Sequence, residues 1–146
     1  DALPANIDPY SSTPYTINAA AMNANGVASS YSSNGSSNWV TAPGGEYGTS
    51  TPAMITTDQS TCSMGYSQPA ATKNNFEKGL INLNQTCHYT SGFNGTSSAT
   101  PVLSGVIALI LSANSALTWR DVKHILASTS RQIHAAAPAI TAQPIT

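Results

Sequence analysis

Phe93-Asn-Gly-Thr-Ser-Ser-Ala-Thr-Pro101 runs without a break into Val102-Leu-Ser-Gly-Val-Ile-Ala-Leu-Ile-Leu-Ser-Ala113, and this stretch decides the fold. Residues 97–112 read as a helix that is apolar on nearly every face (Ala99, Val102, Leu103, Val106, Ile107, Leu109, Ile110, Leu111). A helix of that kind is expected in the middle of a core, covered on all sides. It is interrupted by Ser104, Gly105 and Ser112, and it falls short of the roughly 20 apolar residues that span a bilayer. Gly95 lets the backbone turn tightly and be approached closely by another segment. Ser97 then falls in the first helical turn, beside unsatisfied N–H groups and the positive end of the helix dipole. A serine nucleophile needs that setting, since its own N–H can help hold an oxyanion. A serine ahead of an apolar run is also a common helix cap. Position alone leaves both readings open. Pro101 fits a helix start, where a missing N–H costs least.

Downstream, Asn114 breaks the helix. Thr118-Trp-Arg-Asp121 has the form of a capping box and opens a second helix running to about Ser130. The Ala/Pro-rich tail from Ala135 has no clear structure. Upstream the chain is loops and short strands. Pro4, Pro9 and Pro14 forbid regular helix in residues 1–14. Tyr15–Met22 reads as a buried strand ended by Asn25-Gly26, and residues 29–38 as a Ser-rich loop. Trp39–Ala42, stopped by Pro43-Gly-Gly45, and Ala53–Thr57 read as two more strands. From Asp58 to Thr86 the chain is mostly polar, and a loop that long is normally functional or tied down.

The 146 residues suit one domain, residues 1–146, and 40% of them are apolar. Charged residues make up only 8%, against about 25% in an ordinary soluble protein. Serine (20), threonine (17) and asparagine (12) take their place. A net charge of −1 with no basic run leaves nothing to neutralise phosphates, so nucleic acid is not an expected partner. Nor is a membrane. Asp1 shows no Met start or signal peptide, so the chain is expected to begin as a mature N-terminus, a cleavage product or part of something longer.

Cys62 and Cys87 cannot make a four-ligand zinc site, and His88, His124 and His134 form no close pair. In so polar and weakly charged a chain the two cysteines read as one disulfide of an exported protein, with two buried thiols as the alternative. Such a bond would stabilise by roughly 3–4 kcal/mol. The sequons at Asn34, Asn84 and Asn94 are expected by chance in a chain this rich in Asn.

Gly95-Thr-Ser-Ser-Ala-Thr-Pro101 matches at every fixed position the nucleophile motif Gly-Thr-Ser-x-Ala-x-Pro, and the chain resembles the subtilisin-like serine proteases. Tyr15-Thr-Ile17, the Ser-rich loop and Val40-Thr-Ala-Pro-Gly44 resemble the strand, loop and turn before that serine. Ser104-Gly-Val106 and Leu117-Thr-Trp-Arg-Asp-Val122 resemble the two helices after it, above all in the kexin- and furin-like branch and its bacterial relatives. Ile55-Thr-Thr-Asp58 with Cys62 is similar to the same branch. An α/β-hydrolase is a poorer match, since the second glycine of its elbow is missing.

The resemblance implies an α/β, three-layer, subtilisin-like fold with a mainly parallel sheet, of which this chain is the C-terminal half. It implies a secreted endopeptidase acting on protein or peptide substrates, with Ser97 as nucleophile and Thr96 shaping the oxyanion site. The family's Asp, His and oxyanion Asn lie before the strand at Tyr15, so the N-terminal half of the same domain is the implied partner. Ala5-Asn6-Ile7 lacks the glycine-rich setting of that Asn. Asp8, seven places before Tyr15, holds the position of an acid that meets a basic substrate side chain in kexin-like enzymes. No cofactor is implied for this chain, although the resemblance admits a structural calcium in the complete domain. The acids that hold calcium in that branch would fall near Leu3 and Ser33, neither of which is a carboxylate. Composition alone also admits a binding or adhesive module, and the resemblance an inactive relative.

Overall fold

The computed structural model describes residues 4–47 and 52–133. Asp1, Leu3, His134 and the tail from Ala135 lie outside the described residues. Among the described residues four strands and two α-helices form, in the order β1 (Asn18–Met22), β2 (Asn38–Pro43), β3 (Met54–Thr57), β4 (Tyr89–Phe93), α1 (Thr96–Ala113) and α2 (Trp119–Thr129). β1 and β2 pair in parallel, with Ala21 opposite Ala42. β3 and β4 form a separate antiparallel pair, with Thr57 opposite Tyr89.

The first strand starts later than the sequence suggests. Lys123 of α2 donates from Nζ to the carbonyls of Pro14 and Thr16, each at 3.0 Å, and the Thr16 hydroxyl lies 3.1 Å from the carbonyls of Tyr10 and Thr13. Those bonds hold Pro14 and Tyr15 in a turn closed at Thr16 and leave the parallel ladder to begin at Asn18. β4 is a strand that the polar composition of its surroundings conceals.

α1 packs on β1 and β2, and α2 on β2 and α1. Ala21, Ala42, Ala99, Leu103, Val122 and Leu126 form the core. Small side chains at the strand–helix contact let the backbones approach closely, and Ala21 and Ala99 are fully buried. Among the described residues the cover of α1 is one-sided: Ser98, Ala99 and Leu103 are its buried residues, while Leu109 is 72% exposed. The described residues cover one face of a helix that is apolar on several. The sequence reading places α1 short of a bilayer span; as formed, its 18 residues at mean hydropathy 1.5 reach that length and apolarity, but here the helix rests on β1 and β2.

Pro101 lies in the second turn rather than at the start, so the Ser97 carbonyl lacks the N–H that would ordinarily bond it from four residues on. α2 begins as its sequence indicates. Thr118 Oγ1 accepts the Asp121 N–H at 3.4 Å, and the Asp121 carboxylate takes the Thr118 N–H at 2.7 Å. The Thr118 hydroxyl and N–H hold the Asp121 carboxyl below its usual range.

Candidate active site

Gly95 adopts φ +96°, ψ 171°, a conformation suited to glycine, and caps α1. Its carbonyl accepts the N–H groups of Ser98 and Ala99 at 3.0 and 3.3 Å. Thr96 and Ser97 are therefore the first two helical residues, and both are exposed. Among the described residues no hydrogen bond engages the Ser97 hydroxyl. It stands free beside first-turn N–H groups that have no acceptor within the helix.

The turn is held from behind. The Tyr31 hydroxyl accepts the Gly95 N–H at 2.9 Å and lies 2.7 and 2.8 Å from the carbonyls of Gly44 and Gly45. Ser98, next to the candidate nucleophile but facing inward, donates to the Gly44 carbonyl at 2.9 Å. Gly44 has no room for a side chain: a Cβ there would lie 2.6 Å from the Ala21 Cβ and 3.1 Å from the Gly95 carbonyl. Asn94 Nδ2 reaches the Glu46 carbonyl at 3.4 Å. The Glu46 carboxylate accepts the Ser30 hydroxyl at 2.6 Å and the N–H groups of Ser30 and Tyr47 at 2.9 and 3.0 Å. Those bonds, led by the Ser30 hydroxyl, lower its pKa to about 2. Loop 29–38 and the turn after β2 are thus fastened to each other and to the head of α1.

On the other side stands the long polar loop. Cys62 and Cys87 are joined, with Cα atoms 5.0 Å apart. Asp58 organises the loop's start by accepting the N–H groups of Gln59, Tyr66 and Ser67, and these donors, Ser67 first, hold its carboxyl low. Asn84 is 2% exposed; its side chain takes the Tyr89 N–H at 3.0 Å and donates to the Tyr89 carbonyl at 2.8 Å. Glu77 is 4% exposed and accepts from the hydroxyls of Ser67, Thr90 and Ser91 and from the Ser91 N–H. Burial pushes its pKa up, but the four donors outweigh burial and the carboxyl lies below its ordinary value.

Asp8 sits in an exposed turn, accepting the Tyr10 N–H and the Ser11 hydroxyl, both at 3.0 Å. His88 and His124 are exposed, and neither bonds Ser97. Neither Ser97 nor Asp8 lines the open grooves of about 1340 and 900 Å³ found among the described residues. The residues present do not fit calcium beside the Asp8 turn. Ser33 offers no carboxylate, and no group of three His, Cys, Asp or Glu gathers among the described residues.

Tyr31, Glu77 and Asn84 are structural partners of the site to which motif reading gives no role, and Gly44 and Ser98, though inside quoted motifs, gain theirs only from the contacts above. Of the first three, Glu77 carries a signal, as one of six acids in a chain nearly free of charge.

A helix-headed Gly-Thr-Ser turn beside a parallel strand pair defines an α/β protein with a serine presented at a helix N-terminus. The chain belongs to the subtilase family, whose sequence profile matches residues 3–141. It is 45% identical over 131 residues to the Aeromonas extracellular serine protease of Aeromonas sobria, covering 90% of this chain and 21% of that protein. It is 49% identical over 61 residues to human proprotein convertase subtilisin/kexin type 6, covering 40% of this chain and 6% of that one. The crystal structure of the A. sobria serine protease with its chaperone superposes with a TM-score of 0.83 at 44% identity, over 91% of this chain and 22% of that one. The chain thus spans about a fifth of the length of its Aeromonas relatives.

Proposed function

We propose that this chain is the C-terminal part of the catalytic domain of a secreted serine endopeptidase, with Ser97 as the nucleophile. The observation that supports this best is the Ser97 hydroxyl itself, exposed and unbonded in the first turn of α1 behind a glycine of positive φ. In that role Ser97 Oγ attacks the carbonyl carbon of the scissile peptide bond. Its proton passes to a histidine, oriented by an aspartate, both supplied by polypeptide that precedes this chain in the domain. The carbonyl oxygen becomes an oxyanion that the Ser97 N–H helps to hold, with Thr96 shaping the rim. The proton is then given to the leaving amine, and water hydrolyses the acyl-serine. Export fits the disulfide and the extracellular protease among the relatives.

The test is organophosphate labelling of the complete protease followed by peptide mapping. Label on Ser97, and loss of activity by about 10⁶-fold in Ser97→Ala, are expected. Label on another serine overturns the assignment. The chain alone, without the histidine, should cleave peptides negligibly.

Asp8 is assigned the substrate-binding acid. Its carboxylate is exposed, and its two local donors leave lone pairs for a guanidinium. The measurement is kcat/KM on matched peptides with Arg or Leu before the cut. Asp8→Asn should lower the Arg-to-Leu ratio; an unchanged ratio leaves Asp8 as a turn residue before Pro9.

A further inference from the structure

We propose that Glu77 is a positioning residue for Ser97, its buried carboxylate setting strand β4, which delivers the nucleophile turn. The inference rests on Ser97 being the nucleophile. Only Asn94, Gly95 and Thr96 separate the end of β4 from Ser97, so the strand's placement is passed on almost directly. β3 is a weak template for it, with four residues and a register break between Met54 and Thr56. The other flank of β4 is fixed by side chains. Asn84 takes both backbone groups of Tyr89.

Two residues on, Glu77 Oε1 accepts the Ser91 N–H at 2.5 Å and the Ser91 hydroxyl at 2.8 Å. It lies 3.1 Å from the Thr90 hydroxyl, while Oε2 accepts from Ser67 at 2.7 Å. Glu77 is itself anchored through its N–H to Asn74 Oδ1 at 2.9 Å. A carboxylate this buried is costly unless fully bonded. All its donors lie on β4 or on the turn that Asp58 organises, so the group ties loop to strand.

The complete protease carries the test. Displacing a nucleophile by about 1 Å costs on the order of 10²-fold in rate, so Glu77→Ala should lower kcat by about 10- to 100-fold. KM should stay within about twofold, since the Glu77 carboxylate is buried and bonded within the chain. The rate of organophosphate labelling at Ser97 should fall in parallel with kcat. Glu77→Gln should recover most of the loss: its amide oxygen can serve Ser91, and its NH₂ can face Ser67, whose hydroxyl then turns to the Tyr89 carbonyl 2.5 Å away. Unchanged kcat in a Glu77→Ala protein of lowered Tm, or a change confined to KM, overturns the proposal. Should Glu77→Ala fail to fold, Ser91→Ala, which removes a single bond, decides by the same split: a severalfold lower kcat supports the proposal, and an unchanged kcat overturns it. Ser97→Ala in the same protein separates the two readings, because its retention of activity would sink the nucleophile and leave no site for Glu77 to position.

Discussion

The Tyr31 hydroxyl accepts the Gly95 N–H at 2.9 Å while sharing its own proton between the carbonyls of Gly44 and Gly45. One phenol thereby joins the loop between the parallel strands, the turn after β2 and the residue that caps α1. In Tyr31→Phe the Gly44 and Gly45 carbonyls keep their bonds from Ser98 and Ser29. The Gly95 N–H keeps none. The expected cost is about 1–3 kcal/mol for that unpaired donor, read from urea denaturation of the complete protease, with a lower kcat. An unchanged midpoint and kcat would show that water replaces the phenol.

Gly44 is the tightest point of the same junction. Gly44→Ala places a methyl 2.6 Å from the Ala21 Cβ and 3.0 Å from the Tyr31 oxygen. Overpacking of that kind costs about 1–3 kcal/mol. The strain should push Tyr31 and Gly95 apart, lowering both Tm and kcat; wild-type values for both would mean that the strands spread freely.

Reduction of Cys62–Cys87, across a sequence separation of 25, should lower stability by about 3–4 kcal/mol. Denaturation with and without reductant measures it. Cys62→Ser/Cys87→Ser should match the reduced protein, and a double variant as stable as the oxidised protein would refute the contribution.

Glu46 gives the acid limb of stability. Its carboxyl titrates at about 2 in the folded chain against 4.5 for the free group. A depressed folded value means that the contribution is complete above about 4.5 and is lost as pH falls through about 2. Urea midpoints should therefore decline over that window, and less steeply in Glu46→Gln. Some slope remains, because Asp58, Glu77 and Asp121 are lowered in the same direction. Parallel curves for the two proteins would remove Glu46 from the account.

The two ends of the site differ in how plainly they are written. Gly95-Thr-Ser97 and the Thr118–Asp121 box are local devices, in which a turn residue or a cap decides the geometry by itself, and both form where the sequence places them. The parallel pairing of β1 and β2 follows from the family resemblance. Three features required tertiary information. The start of β1 depends on Lys123, which is distant in sequence from Thr16. β4 is Tyr-Thr-Ser-Gly-Phe, whose serine and glycine read as loop until Asn84 and Glu77 are known to lie alongside. The covering of α1 was expected from its apolar periphery, but periodicity tells how much surface a helix would bury and not which segment buries it.

Asn84 and Glu77 also govern how β4 meets other molecules. The backbone groups of Tyr89 and the N–H of Ser91 would otherwise form an open sheet edge, a template for strand addition by a second chain. Proteins commonly guard such edges with lysines or prolines, and a chain with five basic residues has few lysines to place there. Here a carboxamide and a carboxylate from the same chain occupy the hydrogen-bonding positions, and among the described residues the sheet has two strands. Loss of either side chain would therefore unseal β4, and self-association should accompany any loss of rate.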